Sequence, residues 1–380
     1  MAKLVSANQH RLRFSGPTNQ PLTPTPNMAR AIHQFLFVVA LGLCASGCGT
    51  ATNKPITATE EPLVITGPTM GTEYTIKLFG VPDGLGEAEL KLGIASTLDE
   101  INAAMSTWQD DSELSQFNHS ETGDWFKVSA DTAKVVAEAI RIHESTDGAF
   151  DVTVNPLLKL WGFGPFDRPE NIPTTEEIAA VQDDIGCDKI EVRRDPPALR
   201  KSRPRVQIVL SGIAKGFAVD RVVEWLDEQG VSACLVEIGG EVRATGTKPD
   251  GQPWVIGIEK PTPGDRSVQK AVELSNRAMA TSGDYRNYYE QDGRRYSHTI
   301  DPRSGRPIAH RLAAVSVVAD SCMTADAVAT ALMVLGPVDG YNLAVERDWA
   351  AYLIIRDGDR FIEKQTPRFL ELSEPQRDGK

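Results

Sequence analysis

Apolar residues along the chain recur at a spacing of two in some stretches and of three to four in others, and each switch marks an element. Residues 63–66 and 73–79 read as strands, separated by a Gly67-Pro68 turn and the tetrad Thr69-Met70-Gly71-Thr72. Leu90, Ile94, Leu98, Ile101 and Met105 recur at helical spacing and predict a helix over 86–106, followed by a loop over 108–112. A second amphipathic helix is predicted over 130–146. Val135, Val136, Ala139, Ile140 and His143 lie on or beside its apolar face, and Asp147-Gly148 stops it. The apolar run 206–210 predicts a buried strand that Ser211-Gly212 breaks before a helix over about 215–229, closed by Gly230. Strands follow over 233–238, 241–245 and 254–259, the first two joined by a Gly239-Gly240 hairpin turn. A further strand over 313–318, a helix over 324–335 and a last strand over 350–356 complete the pattern. Helices mixed with antiparallel hairpins predict an α+β fold: a single body of mixed helices and largely antiparallel sheet, not a doubly wound one.

Composition narrows the partners. With 40 Lys and Arg against 52 Asp and Glu, the net charge is -12 and the pI about 5.1. Such a surface excludes general polyanion binding, so no nucleic-acid partner is expected, although a local phosphate site is not excluded. The N-terminal stretch has the character of a processing signal. Residues 1–27 precede Met28, which offers an alternative start, and Arg30 leads into the apolar run 35–43, short for a bilayer-spanning helix. Ala45-Ser46-Gly47-Cys48 resembles a bacterial lipobox, with Cys48 the acylated first mature residue; a transmembrane anchor is the alternative. Residues 1–47 are therefore expected to be leader and signal peptide, 48–62 a lipid-anchored tether, 63–370 the folded domain and 371–380 a polar tail. The expected location is the periplasmic face of the bacterial membrane, the inner membrane favoured over the outer. Beyond Cys44 and Cys48, the scattered Cys187, Cys234 and Cys322 form neither a disulfide framework nor a metal spacing.

Common nucleotide and zinc-protease motifs are missing from the chain. The junction Ser211-Gly212-Ile213-Ala214-Lys215-Gly216-Phe217 combines glycines, a helix start and a cation, which suits a phosphate and equally suits an ordinary turn. In Thr324-Ala325-Asp326-Ala327-Val328-Ala329-Thr330, Asp326 and Thr330 stand four apart and share a helix face. Two oxygens there suit a hard ion such as Mg2+, or else a helix-dipole contact and a back-bonded Thr. The stretch Tyr296-Ser297-His298-Thr299-Ile300-Asp301-Pro302-Arg303-Ser304-Gly305 offers His298 for proton transfer, or a polar turn capped by Asp301. Trp108 and Phe150 are flat enough to stack on a cofactor, with core packing the alternative.

In this order the segments resemble the FAD:protein FMN transferases, the ApbE family. The matching stretches are Thr69-Met70-Gly71-Thr72, Met105-Ser106-Thr107-Trp108 with Asp111-Ser112-Glu113-Leu114-Ser115 and Asn118, 148–156, 211–220, Ala280-Thr281-Ser282-Gly283-Asp284-Tyr285, 298–305 and 325–336. The resemblance implies a T-fold-like α+β body with FAD as substrate and Mg2+ as cofactor. By it, Met70 and Trp108 flank the flavin, Ala149, Phe150 and Asp151 line its pocket, and Phe217 and Thr299 are further cofactor positions. Trp108 and Phe217 stand where the family commonly has Tyr, so stacking survives while a phenolic hydrogen bond does not. The metal would be held by the Ala214 carbonyl with Asp326 and Thr330. The implied reaction moves FMN from FAD to a Thr or Ser hydroxyl of an acceptor flavoprotein and releases AMP. Lys215 is expected to help electrostatically, while His298 and Asp301 would activate the acceptor hydroxyl or order the site. The expected acceptors are subunits of electron-transport complexes. The competing readings are an FAD pyrophosphatase yielding FMN and AMP, a non-catalytic flavin-binding lipoprotein and a structural envelope lipoprotein.

Overall fold

Strand β1 (Leu63–Thr69) pairs along its whole length with β2 (Thr72–Phe79). The expected Gly67-Pro68 turn is thus part of the strand. The chain reverses one step later, at Met70 and Gly71, which both adopt positive φ (49° and 73°). Pro68 is tolerated because β1 is an edge strand. The computed structural model describes residues 61–373 apart from 122, 263, 265, 266, 286 and 292. The expected signal segment, Cys48 and most of the tether and tail lie outside these residues.

Helix α1 (Glu87–Met105) buries the five residues that set its period: Leu90, Ile94, Leu98, Ile101 and Met105. Then come α2 (Glu113–His119), β3 (Phe126–Lys127) and α3 (Ala130–Ser145), whose Ser129 side chain caps the first turn. Ile142 is the fully buried residue of the last turn of α3, with Ile140 half-buried at the margin of the apolar face. Helices α4 (Asn155–Trp161) and α5 (Thr175–Gln182) precede a 3-10 turn at Cys187–Lys189 and the strands β4 (Ile190–Arg194) and β5 (Pro197–Lys201).

The expected strand over 206–210 is buried but joins no ladder. A side chain replaces the neighbouring strand: Asn118 donates to the Ile208 carbonyl and accepts from the Ile208 N–H, both at 2.7 Å. Helix α6 (Ala214–Glu228) follows, then β6 (Ala233–Ile238) and β7 (Glu241–Thr245), the ribbon β8 (Trp254–Glu259) and β9 (Val268–Leu274), and β10 (Arg277–Gly283). Two short ladders, β11 (Tyr288–Gln291) with β12 (Arg294–Ser297) and β13 (Ile300–Asp301) with β14 (Arg306–Pro307), lead to β15 (Leu312–Ala319). Helix α7 (Cys322–Glu346) runs past the predicted end at 335 because the chain kinks at Gly336 (φ 81°) and Pro337 starts a second helical segment. The chain ends in β16 (Ala350–Asp357), β17 (Arg360–Gln365) and α8 (Pro367–Ser373), so β16 is not the last strand and residues 371–373 belong to a helix.

One eight-stranded sheet in the order β1-β2-β6-β7-β10-β15-β16-β17, antiparallel throughout, organises the body. The predicted α+β class holds. Side chains alternate across it: Ala278 and Ala280 of β10 face the main core, whereas Met279 faces the opposite layer. Helices α6 and α7 pack on the first face with α1 and α3 beyond them. The other face is covered by the β8–β9 ribbon and by α8, through Trp254, Val272, Leu274 and Phe369. Strands buried on both sides, such as β15, are apolar almost throughout, which made them legible as strands but not as members of a particular layer.

Candidate functional site

The helices α6 and α7 meet at two glycines. A Cβ at Gly216 would collide with the Cys322 carbonyl, and one at Gly212 would lie 3.1 Å from the Thr330 Oγ1. Only glycine lets the start of α6 come this close to α7. The Gly216 N–H donates to Asp326 Oδ2 at 3.1 Å. Ala214 therefore lies between two residues that abut Asp326 and Thr330. Ser282 on β10 stands beside them, its Oγ 3.4 Å from Thr330 Oγ1. Asp326 is only 3 % exposed, and burial raises its carboxyl above the ordinary carboxylate range against the pull of Lys215 and of the Gly216 N–H. A buried carboxylate in that state favours a nearby cation, and carboxylate, hydroxyl and carbonyl oxygens are the donors a hard ion takes. The residues present fit Mg2+.

Asp220 fixes the register of the two helices. From α6 it accepts the N–H groups of Cys322 and Met323 at 3.0 Å each and the Ser321 hydroxyl at 2.8 Å, so it caps α7. Arg243 on β7 pairs with it at 2.7 Å.

This junction forms the floor of a cleft of about 830 Å³, whose walls include the β2 start at Thr72, Gly239 and Gly240 of the β6–β7 turn, Ile256 to Glu259 of β8, and Thr281 to Gly283 of β10. Lys215 and Glu241 pair inside it at 2.5 Å. Burial opposes the Lys215 charge, but the carboxylates of Glu241 and Asp326 outweigh it and raise the ammonium pKa. Glu241 is raised by burial and by Asp326, with Lys215 opposing, and its Oε2 has no hydrogen-bond partner. Glu241 was silent in the sequence, where it reads as the first residue of a strand after a Gly-Gly turn.

Ala149, Phe150 and Asp151 line the cleft, as do His298 and Thr299. The His298 Nδ1 lies 2.9 Å from the Asn287 carbonyl, so it carries the proton and leaves Nε2 as the acceptor. Burial lowers the His298 pKa, against that hydrogen bond, and favours the neutral ring. Asp301 does not line the cleft. Its oxygens take the Arg303 guanidinium at 2.9 and 3.0 Å and the Arg303 N–H at 3.0 Å, which orders the turn beyond Thr299. Met70 is half-buried at the tip of the β1–β2 turn, adjacent to Gly71 and Thr72. Trp108 is 71 % exposed beyond the end of α1, and Phe217 is 1 % exposed in the main core beneath α6 with Lys134 over its ring; neither lines the cleft. Cys187, Cys234 and Cys322 are free and buried.

The cleft sets Asp326 and Thr330 beside the buried Lys215–Glu241 pair and His298 on an antiparallel α+β scaffold. The ApbE family matches the chain over residues 70–353. The FAD:protein FMN transferase of Vibrio cholerae is 44 % identical over 338 residues, covering 89 % of this chain and 98 % of the relative. The Escherichia coli protein of that name is 38 % identical and covers 87 % and 95 %. Among solved structures, the flavin transferase ApbE of Vibrio cholerae superposes with a TM-score of 0.76 at 45 % identity, covering 82 % of this chain and 99 % of the other. The apo flavinyl transferase ApbE of Pseudomonas stutzeri gives 0.75 at 42 % identity, covering 82 % and 98 %. The chain belongs to the ApbE family, and it is an enzyme.

Proposed function

We propose that the enzyme moves the FMN part of FAD onto a Thr or Ser hydroxyl of a target flavoprotein, releases AMP, and depends on Mg2+. The observation that carries this reading is the approach of the α6 start, Gly212 to Gly216, to Asp326 and Thr330 in a cleft that His298 and Thr299 also line. Mg2+ bound by Ala214, Asp326 and Thr330 would supply charge neutralisation at the pyrophosphate. Lys215, kept charged by Glu241 and Asp326, adds a fixed cation for the departing AMP phosphate. The acceptor oxygen attacks the phosphorus of the FMN moiety, the bond from that phosphorus to the AMP phosphate breaks, and the hydroxyl proton goes to His298 Nε2. Asp301 orders the turn that carries His298 and Thr299 by holding Arg303.

Purified enzyme incubated with FAD, Mg2+ and an acceptor flavoprotein should yield protein-bound flavin fluorescence on a denaturing gel and one AMP per FMN bound. FAD binding without covalent flavin overturns the reading. Free FMN and AMP formed equally with and without acceptor would make the enzyme an FAD pyrophosphatase.

The acceptors are expected among flavoprotein subunits of electron-transport complexes, at the periplasmic face of the membrane, with Cys48 acylated. Labelled palmitate incorporated by the wild type and not by Cys48→Ser tests the anchor.

A further inference from the structure

Strand β7 turns two charged side chains, Glu241 and Arg243, towards α6, where Lys215 and Asp220 pair with them. The two pairs differ in what else they bind. Asp220 takes Arg243 at 2.7 Å and also accepts the Ser321 hydroxyl and the N–H groups of Cys322 and Met323, so both of its oxygens are used. Neither member of that pair lines the cleft. Glu241 and Lys215 do line it, and there Glu241 Oε1 takes the ammonium at 2.5 Å while Oε2 has no hydrogen-bond partner among the described residues. Glu241 is only 3 % exposed, so that oxygen has lost its hydration without a bond in return. The pair that opens on the cleft is therefore the one with an oxygen to offer a ligand.

Its neighbours select the ligand group. A phosphate oxygen is repelled by the carboxylate, and a second metal cation at Oε2 would stand against the ammonium that Oε1 already holds. A hydroxyl donates to the carboxylate without adding charge. Gly239 and Gly240, which precede Glu241, line the cleft without side chains, and a Cβ at Gly240 would meet nothing within 4 Å, so a sugar has room beside the carboxylate. We propose that Glu241 is a substrate-binding residue whose Oε2 accepts a sugar hydroxyl next to the pyrophosphate of FAD, from either the adenosine ribose or the ribityl chain. The inference rests on the reading that this cleft takes FAD, with the pyrophosphate at the Lys215 end.

Flavin fluorescence titrations without acceptor compare FAD with an analogue whose adenosine carries dideoxyribose and with one whose flavin chain lacks the ribityl hydroxyls. The wild type should bind the analogue that has lost the contacting hydroxyl about thirtyfold more weakly than FAD, the size of one hydrogen bond to a charged group. In Glu241→Ala that penalty should vanish, and the analogue for which it vanishes names the sugar. Any damage done through an unpaired Lys215 falls on FAD and analogue alike and cancels in their ratio. Glu241→Gln keeps an acceptor for Lys215 and serves if the alanine variant does not fold; an amide in place of the charged oxygen should shrink the ratio severalfold. Equal wild-type affinity for FAD and both analogues, or a penalty that persists unchanged in the variants, overturns the assignment. No FAD binding by the wild type overturns instead the reading of the cleft.

Discussion

At one side of the cleft, α6 and α7 are held together by glycine contacts, an N-cap from Asp220 and a backbone bond to Asp326, all in the main core. At the other side, His298 and Thr299 sit between a four-residue ladder and the two-residue ladder that includes Asp301, and bonds to Asn287 and between Asp301 and Arg303 order them. The helical side holds Asp326 and Thr330 against the start of α6. On the loop side, the turn beyond Thr299 is tied at a distance, the Gly305 carbonyl accepting from Trp161 at 2.9 Å and the Pro302 carbonyl from Gln182 at 2.6 Å. In the proposed reaction, rigid placement would serve the charge-handling groups, whose energy depends steeply on distance, while an ordered turn would suffice for a proton acceptor.

The largest effect should come from Asp326→Ala. Loss of the buried carboxylate should cut FMN transfer roughly a thousandfold, as several kcal/mol of charge stabilisation are removed, and should abolish the Mg2+ dependence, measured by gel fluorescence across a Mg2+ series. If instead the variant keeps its Mg2+ response, the helical side is not the metal side. Asp220→Asn breaks the buried pair with Arg243 and weakens the α7 cap; it should cost about 3 kcal/mol of stability in urea unfolding and raise the Mg2+ concentration needed for half-maximal activity. Gly216→Ala should cost about 2 kcal/mol through overpacking against the Cys322 carbonyl, with a parallel loss of Mg2+ affinity by calorimetry. Stability lost with metal affinity unchanged would separate helix packing from the donor set. On the loop side, Asp301→Asn should change stability by less than about 1 kcal/mol, as partly exposed ion pairs do, and lower transfer less than about tenfold. A collapse of the fold by this variant would break the contrast between the two sides.

The helices were legible wherever a period ran long enough: α1 buries the five residues its spacing marks, and Asp326 and Thr330 share a face because they are one turn apart. The 206–210 segment shows where a local signal misleads. Its apolar run demands burial, and a strand meets that demand only with a neighbouring ladder; Asn118, some ninety positions earlier, satisfies Ile208 instead. The Gly67-Pro68 pair misled for a related reason, since an edge position excuses a proline from donating. Glu241 carried no spacing signal, because what sets it apart is its partner, Lys215, at 26 positions' remove.

Sequence alone determined the antiparallel α+β class, the main helices, the Asp326–Thr330 oxygen pair and the ordered segments that mark the family, because these depend on neighbours within a turn or on residue order. Tertiary structure decided which donors meet. The start of α6 approaches Asp326 and Thr330 only because Gly212 and Gly216 leave no side chain between two helices distant in sequence. Phe217 is drawn into the core and Trp108 left exposed by packing that no local pattern encodes, since burial is a property of the assembled layers and not of a residue's place in its own helix.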